Sequence, residues 1–599
     1  MSRTWVAGAV GLFAVALVAA AIVAARFEPR ELEEASIEDP SVAEPMRVAA
    51  AFERARQRLV GVAPGPSALL AADPHGTLWV CAYDPPSVAR CAGAGEADAA
   101  AGIDRAVEAL RALGTSPRSK LKIDWPLTRV RGMWPRDASR HGAGVEGIAV
   151  GDGVILPSEV LERDLFTSAD EDEPLAWDVG AVRALLSSRG EDVGETFAYD
   201  RLYTASWVEG ADGRPVRLYR THAWELPALD PPDVERRARM AAEALANAVQ
   251  PDGRITYEWD VSAGAEKRGS NLLRHGGSTF ALIQAFERFG DPRYREAAGR
   301  ALTFLLGETQ VDERTGPYGG GPSRHVVEGT HVKLGGAALA LLALARWQIA
   351  TGDPQFSPAA RELATYLVAM QHRDGEFEYF APREVGGEPR ADTSAYYPGE
   401  AVFALGTWYA VDPDPLWLDT ARRGADWLID VRDAGKDETE LDADHWLSYG
   451  LGPLYAATAD PRYVEHALRI GAAIEAQSER QRGHERNHRD YLGGFYEPPR
   501  STPASTRAEA LVGILDLCRA ARRDCAPFER RLEVTLRHAV QLQYTEDLLY
   551  WVPRPERVAG AIGGGLVHPD TRNDFTQHAL SALLGLERLR SVDTARPPL

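Results

Sequence analysis

"FGDPRYREAAGRALTFL" (Phe289–Leu305), "TGDPQFSPAARELATYL" (Thr351–Leu367), "DPDPLWLDTARRGADWL" (Asp412–Leu428) and "TADPRYVEHALRIGAAI" (Thr458–Ile474) are four variants of one unit. Their Asp-Pro pairs begin at Asp291, Asp353, Asp414 and Asp460, spaced 62, 61 and 46 residues apart. An aspartate before a helix accepts from the first free backbone amides, and proline fits the first helical position, where no amide is needed. The apolar stripe that follows in each unit predicts an amphipathic helix with one face buried. A repeat of this length is the mark of a stacked helical architecture.

Working outward, helices with small residues on several faces begin near Asn271, Gly329, Ala395, Ala443, Pro503 and Asn573. Each follows a more polar partner, near 233–250, 292–308, 357–371, 415–431, 461–478 and 526–543, which makes six pairs. Helices apolar almost all round belong inside, and those with a single stripe belong outside. Six inner helices ringed by six outer ones close into an (α/α)6 toroid, expected over residues 229–599. The alternation and the Asp-Pro unit resemble the six-hairpin glycosidase-like proteins, a grouping of glycoside hydrolases, polysaccharide lyases and sugar epimerases. That resemblance implies a carbohydrate substrate, while a fold alone does not fix a reaction.

Upstream the pattern is mixed. Residues 46–228 read as a small α+β domain, with strands at "TLWVCAY", "KLKIDW", "GIAVGDGVILP" and "VRLYRTH" and helices over Met46–Val62, Ala97–Leu113 and Val179–Ser188. Within it, "GVEGIAVGDGVILPSEVLERDLF" (Gly144–Phe166) resembles the AMMECR-type domain, in which a glycine-bounded strand pair leads into a Leu-Pro turn and a helix. The family's Arg-Gly-Cys-x-Gly stretch is matched loosely by Arg90-Cys91-Ala92-Gly93, so the resemblance serves as a fold hint.

At the amino end, Trp5–Ala25 is a run of 21 uncharged, mostly apolar residues, long enough as a helix to span a bilayer core. Residues 1–27 are expected to be a transmembrane anchor, with a signal peptide cut near Val23-Ala24-Ala25 as the competing reading, and 28–45 an acidic linker. Arg3 before the segment and the mixed charges after it place the bulk of the chain outside the cytoplasm. The cysteines form two local pairs, Cys81 with Cys91 and Cys518 with Cys525, expected as disulfides of an oxidising compartment, with buried thiols as the alternative. A net charge of −20 with no basic run excludes a nucleic-acid partner. Neither cysteine pair has zinc-ligand spacing, "GPYGGGPSRH" (Gly316–His325) lacks the ending of a phosphate loop, and no cofactor or metal is expected. The aspartate-rich signature of terpene cyclases is absent, and the cysteines do not match the zinc set of lanthionine cyclases. Oligomeric state is left open.

In a closed ring the leading ends of the inner helices share one mouth, where polar residues precede each apolar run. Arg274, His275, Lys333, Tyr396, Tyr397, Glu400, Asp444, His445, Trp446, Arg507, Glu509, Asp574, Gln577 and His578 are the rim candidates. Opposition across the ring would turn Glu400 toward Asp574 and His578, Lys333 toward Arg507 and Glu509, and His275 toward Asp444 and His445. Paired carboxylates suit glycosidic hydrolysis, so Glu400, Asp574 and Glu509 are the catalytic candidates, with His275 or Tyr397 as base in a lyase. Arg274, Lys333 and Arg507 would clamp a uronate carboxylate beside His445, Trp446, Gln577 and His578, or else neutralise carboxylates structurally. The aromatic and glycine-rich loops "YEWD" (Tyr257–Asp260), "GPYGGGPSRH" (Gly316–His325) and "YLGGFYEPP" (Tyr491–Pro499) would line sugar subsites, or else form ordinary turns. The expected function is an exported, membrane-anchored glycoside hydrolase or polysaccharide lyase. The alternative is a non-catalytic envelope protein binding glycan or peptide in the same funnel.

Overall fold

The computed structural model describes residues 45–591 apart from 71–76, 86, 97, 139–141, 168–175, 313–321, 382–392 and 482–487. The expected membrane segment and, but for Pro45, the linker after it lie outside the described residues, as does most of the Gly316–His325 loop. Among the described residues one helix, Leu334–Thr351, is long and apolar enough to cross a bilayer, but it is mostly buried inside the protein.

The upstream part is built on an antiparallel sheet. Its strands are β1 (Thr77–Asp84), β2 (Ser87–Gly95), β3 (Lys120–Trp134), β4 (Glu146–Val150), β5 (Gly153–Ile155), β6 (Phe197–Glu209), β7 (Pro215–Tyr219) and β8 (His222–Ala223). The order is β8-β7-β6-β3-β1-β2, with β4 also on β6 and β5 on β4. Helices α1 (Pro45–Leu59) and α2 (Ala99–Ala112) cover one face. On β1, Leu78, Val80 and Ala82 pack beneath those helices, while Trp79, Cys81 and Tyr83 point the other way. Both faces are buried, which explains why "TLWVCAY" is apolar without alternation. Cys81 and Cys91 are directly opposite on β1 and β2 and are joined by a disulfide. The strand pair β4–β5 runs through Leu156 into helix α3 (Pro157–Glu162), and α4 (Val179–Ser187) follows.

From α5 onward the chain is helical. The outer helices are α5 (Pro231–Ala248), α7 (Pro292–Gly307), α9 (Ser357–Ala369), α11 (Pro415–Trp427), α13 (Pro461–Gln481) and α15 (Ala526–Gln541). The inner helices are α6 (Leu272–Phe289), α8 (Leu334–Thr351), α10 (Tyr397–Tyr409), α12 (His445–Thr458), α14 (Ser501–Ala520) and α16 (Asn573–Arg590). Each inner helix packs on the next, and α16 packs back on α6, so the (α/α)6 ring closes. Asp230, Asp291 and Asp414 accept backbone amides at the starts of α5, α7 and α11, each worth about 1 kcal/mol. Asp353 differs: it caps a turn through Gln355 N, and α9 begins later, at Ser357. Glycines let the inner helices touch. A Cβ on Gly335 would stand 2.2 Å from Glu400 Oε2, and one on Gly277 would meet Gln577 Oε1 at 2.9 Å. Cys518 and Cys525 form the second disulfide, between the end of α14 and the start of α15.

The ring meets the outward face of the sheet through Trp259, Tyr544, Leu548, Tyr550 and Trp551, which pack with Trp79, Cys81, Tyr83 and Val208. Arg220 donates from Nε to Asp490 Oδ2 at 2.7 Å, a buried ion pair between the two parts.

Candidate active site

The leading ends of α12, α14 and α16 bring His445, Glu509 and His578 together. His578 Nδ1 donates to Glu509 Oε2 over 2.6 Å, and His445 Nε2 lies 3.8 Å from the same oxygen. The two imidazoles meet edge to face with centroids 5.2 Å apart, and Trp446 packs against His445 at 4.8 Å. Gln577 Nε2 lies 3.1 Å from His578 Nδ1. Glu509 is fully buried, and its Oε1 and both His445 ring nitrogens have no hydrogen-bond partner among the described residues. Burial pushes the Glu509 carboxyl up, and the neighbouring His578 partly offsets this. Burial, with His578 and Arg507 nearby, holds His445 well below the usual histidine range, so it is neutral at pH 7. His578 keeps about a tenth of its side chain accessible. A histidine oriented by a buried carboxylate through Nδ1, with an edge reachable from outside, has the arrangement of a general base.

Above this group stands an aromatic and cationic rim. Tyr396 is 43% exposed and lies 5.5 Å from the His445 ring, and Tyr496 is 50% exposed. The Arg507 guanidinium sits 4.4 Å from the Phe495 ring centroid and 5.7 Å from that of Tyr496, and Nε donates to Gln477 Oε1 at 2.8 Å. Among the described residues Arg507 has no carboxylate partner. Aromatic faces beside an arginine fork suit a sugar carrying a carboxylate.

Several rim candidates are placed otherwise than opposition across the ring implies. Asp574 is held by Arg572 (Nε to Oδ1 2.5 Å, Nη2 to Oδ2 2.9 Å) and by Arg274 at 3.2 Å. Burial alone would raise its carboxyl, but the two arginines hold it low, so it stays ionised inside a structural network. His275 points away from the mouth. Its Nε2 donates to Ala301 O on α7 at 3.0 Å, its ring lies against Phe304, and burial lowers it to about 4. Lys333 Nζ donates to Glu328 Oε2 at 2.5 Å instead of facing Arg507 and Glu509. Asp444 caps α12 through Leu447 N and binds Arg432 at 3.0 Å. Glu400 is buried with Oε2 unpartnered among the described residues, close against Gly335 of α8, and burial with the Asp444 charge pushes its carboxyl well up. Tyr397 is half-buried near Phe380, with ring centroids 6.0 Å apart. Arg572 was not among the candidates, although a basic residue two positions before Asp574 signalled it.

A divalent metal is the other reading of His445, Glu509 and His578, whose ligand atoms lie within 4.8 Å of one another. A His2Glu set is a catalytic zinc set, with ligand bonds of about 2.0–2.2 Å. Two such ligands on a tetrahedral ion stand roughly 3.3 Å apart. The 2.6 Å between His578 and Glu509 is a hydrogen bond, so the side chains as placed form a proton-handling pair, not an ion's shell.

No family model matches the chain, and no curated protein does, so the AMMECR-type resemblance is not shown. Among solved structures the chain is similar, over 60% of its length and 98% of theirs, to an unsaturated glucuronyl hydrolase specific for heparin, at 15% identity and a TM-score of 0.43. A GH76A alpha-1,6-mannanase from Salegentibacter sp. matches over 60% of this chain and all of its own, at 12% identity and a TM-score of 0.42. A cellobiose 2-epimerase from Bacillus thermoamylovorans matches over 60% and 99%, at 12% identity and a TM-score of 0.46. The toroid assignment rests on the closed ring of helices itself.

Proposed function

We propose that the ring is a carbohydrate-processing enzyme that moves a proton on an anionic sugar, with His578 as base and Glu509 as the group that orients it. The single observation carrying this reading is the 2.6 Å His578–Glu509 pair beneath the Tyr396, Tyr496 and Arg507 rim. In a lyase reaction on a uronate, His578 would take the C5 proton while Arg507 balances the charge growing on the carboxylate. The C4–O bond then breaks as the C4=C5 double bond forms, and the leaving oxygen takes a proton from a rim acid such as Tyr396. Hydrolysis by Glu400 and Asp574 is less well supported, because one is buried and the other is tied by two arginines. Two disulfides fit an exported protein, and the apolar segment Trp5–Ala25 fits its anchor.

The burial of Glu400, Glu509 and Asp574 favours a second reading, a glycan-binding ring without turnover. Incubation with uronate-containing glycans, followed by ultraviolet absorbance of the new double bond, separates the two. Turnover that falls about 100-fold or more in Glu509→Gln and His578→Asn supports the enzyme. Glycan binding with no product, or activity untouched in both variants, sinks it.

A further inference from the structure

A pocket lies against β6 and β7, with none of the rim residues in its lining. The floor is a buried polar network. Asp124 on β3 stands opposite Ser206 on β6 and accepts from Ser206 Oγ, from Thr204 Oγ1 at 3.1 Å and from Lys122 Nζ, with Lys122 and Asp124 fully buried. Thr204 and Ser206 line the pocket. The two hydroxyls also lie 3.1 Å from each other, and a hydroxyl that donates to Asp124 keeps lone pairs to accept with. The wall includes Arg220, whose side chain is fully buried. Its Nε is used by Asp490 and its Nη1 by Ala143 O, while Nη2 is buried with no hydrogen-bond partner among the described residues. Beside it the Arg217 guanidinium stacks 3.5 Å from the Trp224 ring centroid, and both residues line the pocket. Acceptors on the floor, an unanswered guanidinium nitrogen in the wall and aromatic sides converge on one ligand chemistry.

We propose that this pocket binds a small hydroxylated carboxylate of the sugar-acid kind, its carboxylate on Arg220 and Arg217 and its hydroxyls donating to Ser206 and Thr204. This gives the upstream sheet a ligand of its own, and it does not require the ring to be an enzyme. The test is calorimetric titration of the intact protein with D-glucuronate, with D-glucose as the neutral control. The variants are Ser206→Ala, Val145→Trp, which fills the pocket from a half-buried lining position, and Glu509→Gln at the rim. The expected result is a glucuronate site that glucose occupies at least about tenfold more weakly. It is lost in Val145→Trp, weakened about tenfold in Ser206→Ala and retained in Glu509→Gln. Absence of glucuronate binding overturns the proposal, and so does binding that Val145→Trp and Ser206→Ala leave unchanged. Because Val145→Trp removes no member of the Asp124 network or of the Arg220–Asp490 pair, it decides the matter even if Ser206→Ala disturbs folding.

Discussion

His275 is where the structure departs most sharply from the rim reading, and its titration can be measured. Burial lowers the imidazole from 6.5 to about 4, partly offset by its bond to Ala301 O. The unfolded chain therefore binds a proton that the folded chain refuses, and stability falls as pH drops from about 6.5 toward 4. With those two values the cost to the folded state is about 0.2 kcal/mol at pH 7 and about 2 kcal/mol at pH 5. In His275→Gln the carboxamide N–H still reaches toward Ala301 O but carries no such titration. The variant is expected to be less stable than the parent by about 1 kcal/mol at pH 7, from lost packing on Phe304. At pH 5 the gap should shift by about 2 kcal/mol in the variant's favour, reversing the order. Urea unfolding followed by helical circular dichroism at both pH values reads this directly. His538 and His568, also lowered to about 4, and Asp164, raised to about 6, are present in both proteins and cancel in the difference. A gap that stays constant between pH 7 and pH 5 would mean that His275 titrates as in water, and the reasoning that removes it from the mouth would fail.

Two further outcomes test how the parts are held. Asp490→Asn leaves Arg220 buried without its counter-ion, so the variant should lose roughly 3–5 kcal/mol and expose the β7–β8 hairpin to protease; an unchanged unfolding midpoint contradicts the ion pair as a clamp. Gly253→Ala should cost about 2 kcal/mol or more by urea unfolding, because φ is +93° there and the added carbon would stand 2.2 Å from Arg300 O; a neutral result would show that the α5–α6 loop is free to shift.

The ring was legible because its signals are local. Asp291-Pro292 and Asp414-Pro415 carry their own cap and first turn, and the stripe behind each needs no distant partner to be recognised. The rim was legible only as an end of the ring. Successive residues on a helix differ by about 100° in direction, so Arg274 and His275 can share a turn while one meets Asp574 and the other meets Ala301. Opposition across the ring also misjudged reach. Packed helices lie about 8–10 Å apart, and side chains on neighbouring helices join before those on opposite ones. Hence Glu509 pairs with His578 from α16, next in the ring, and Asp574 with Arg274 from α6 on its other side.

The sheet teaches the complementary lesson. A strand with one wet face alternates, yet "TLWVCAY" does not, and that continuity already required a cover on each side. The helices α1 and α2, readable from their stripes, account for Leu78, Val80 and Ala82 alone. Trp79, Cys81 and Tyr83 needed a second apolar surface, of which Leu156 before α3 supplies only a part. The aromatic run around Tyr544, Tyr550 and Trp551 supplies more of it from the far end of the chain. Docking of sheet and ring follows from the composition of β1, because an exposed face carrying Trp79 and Tyr83 would forfeit the burial that these two rings now contribute.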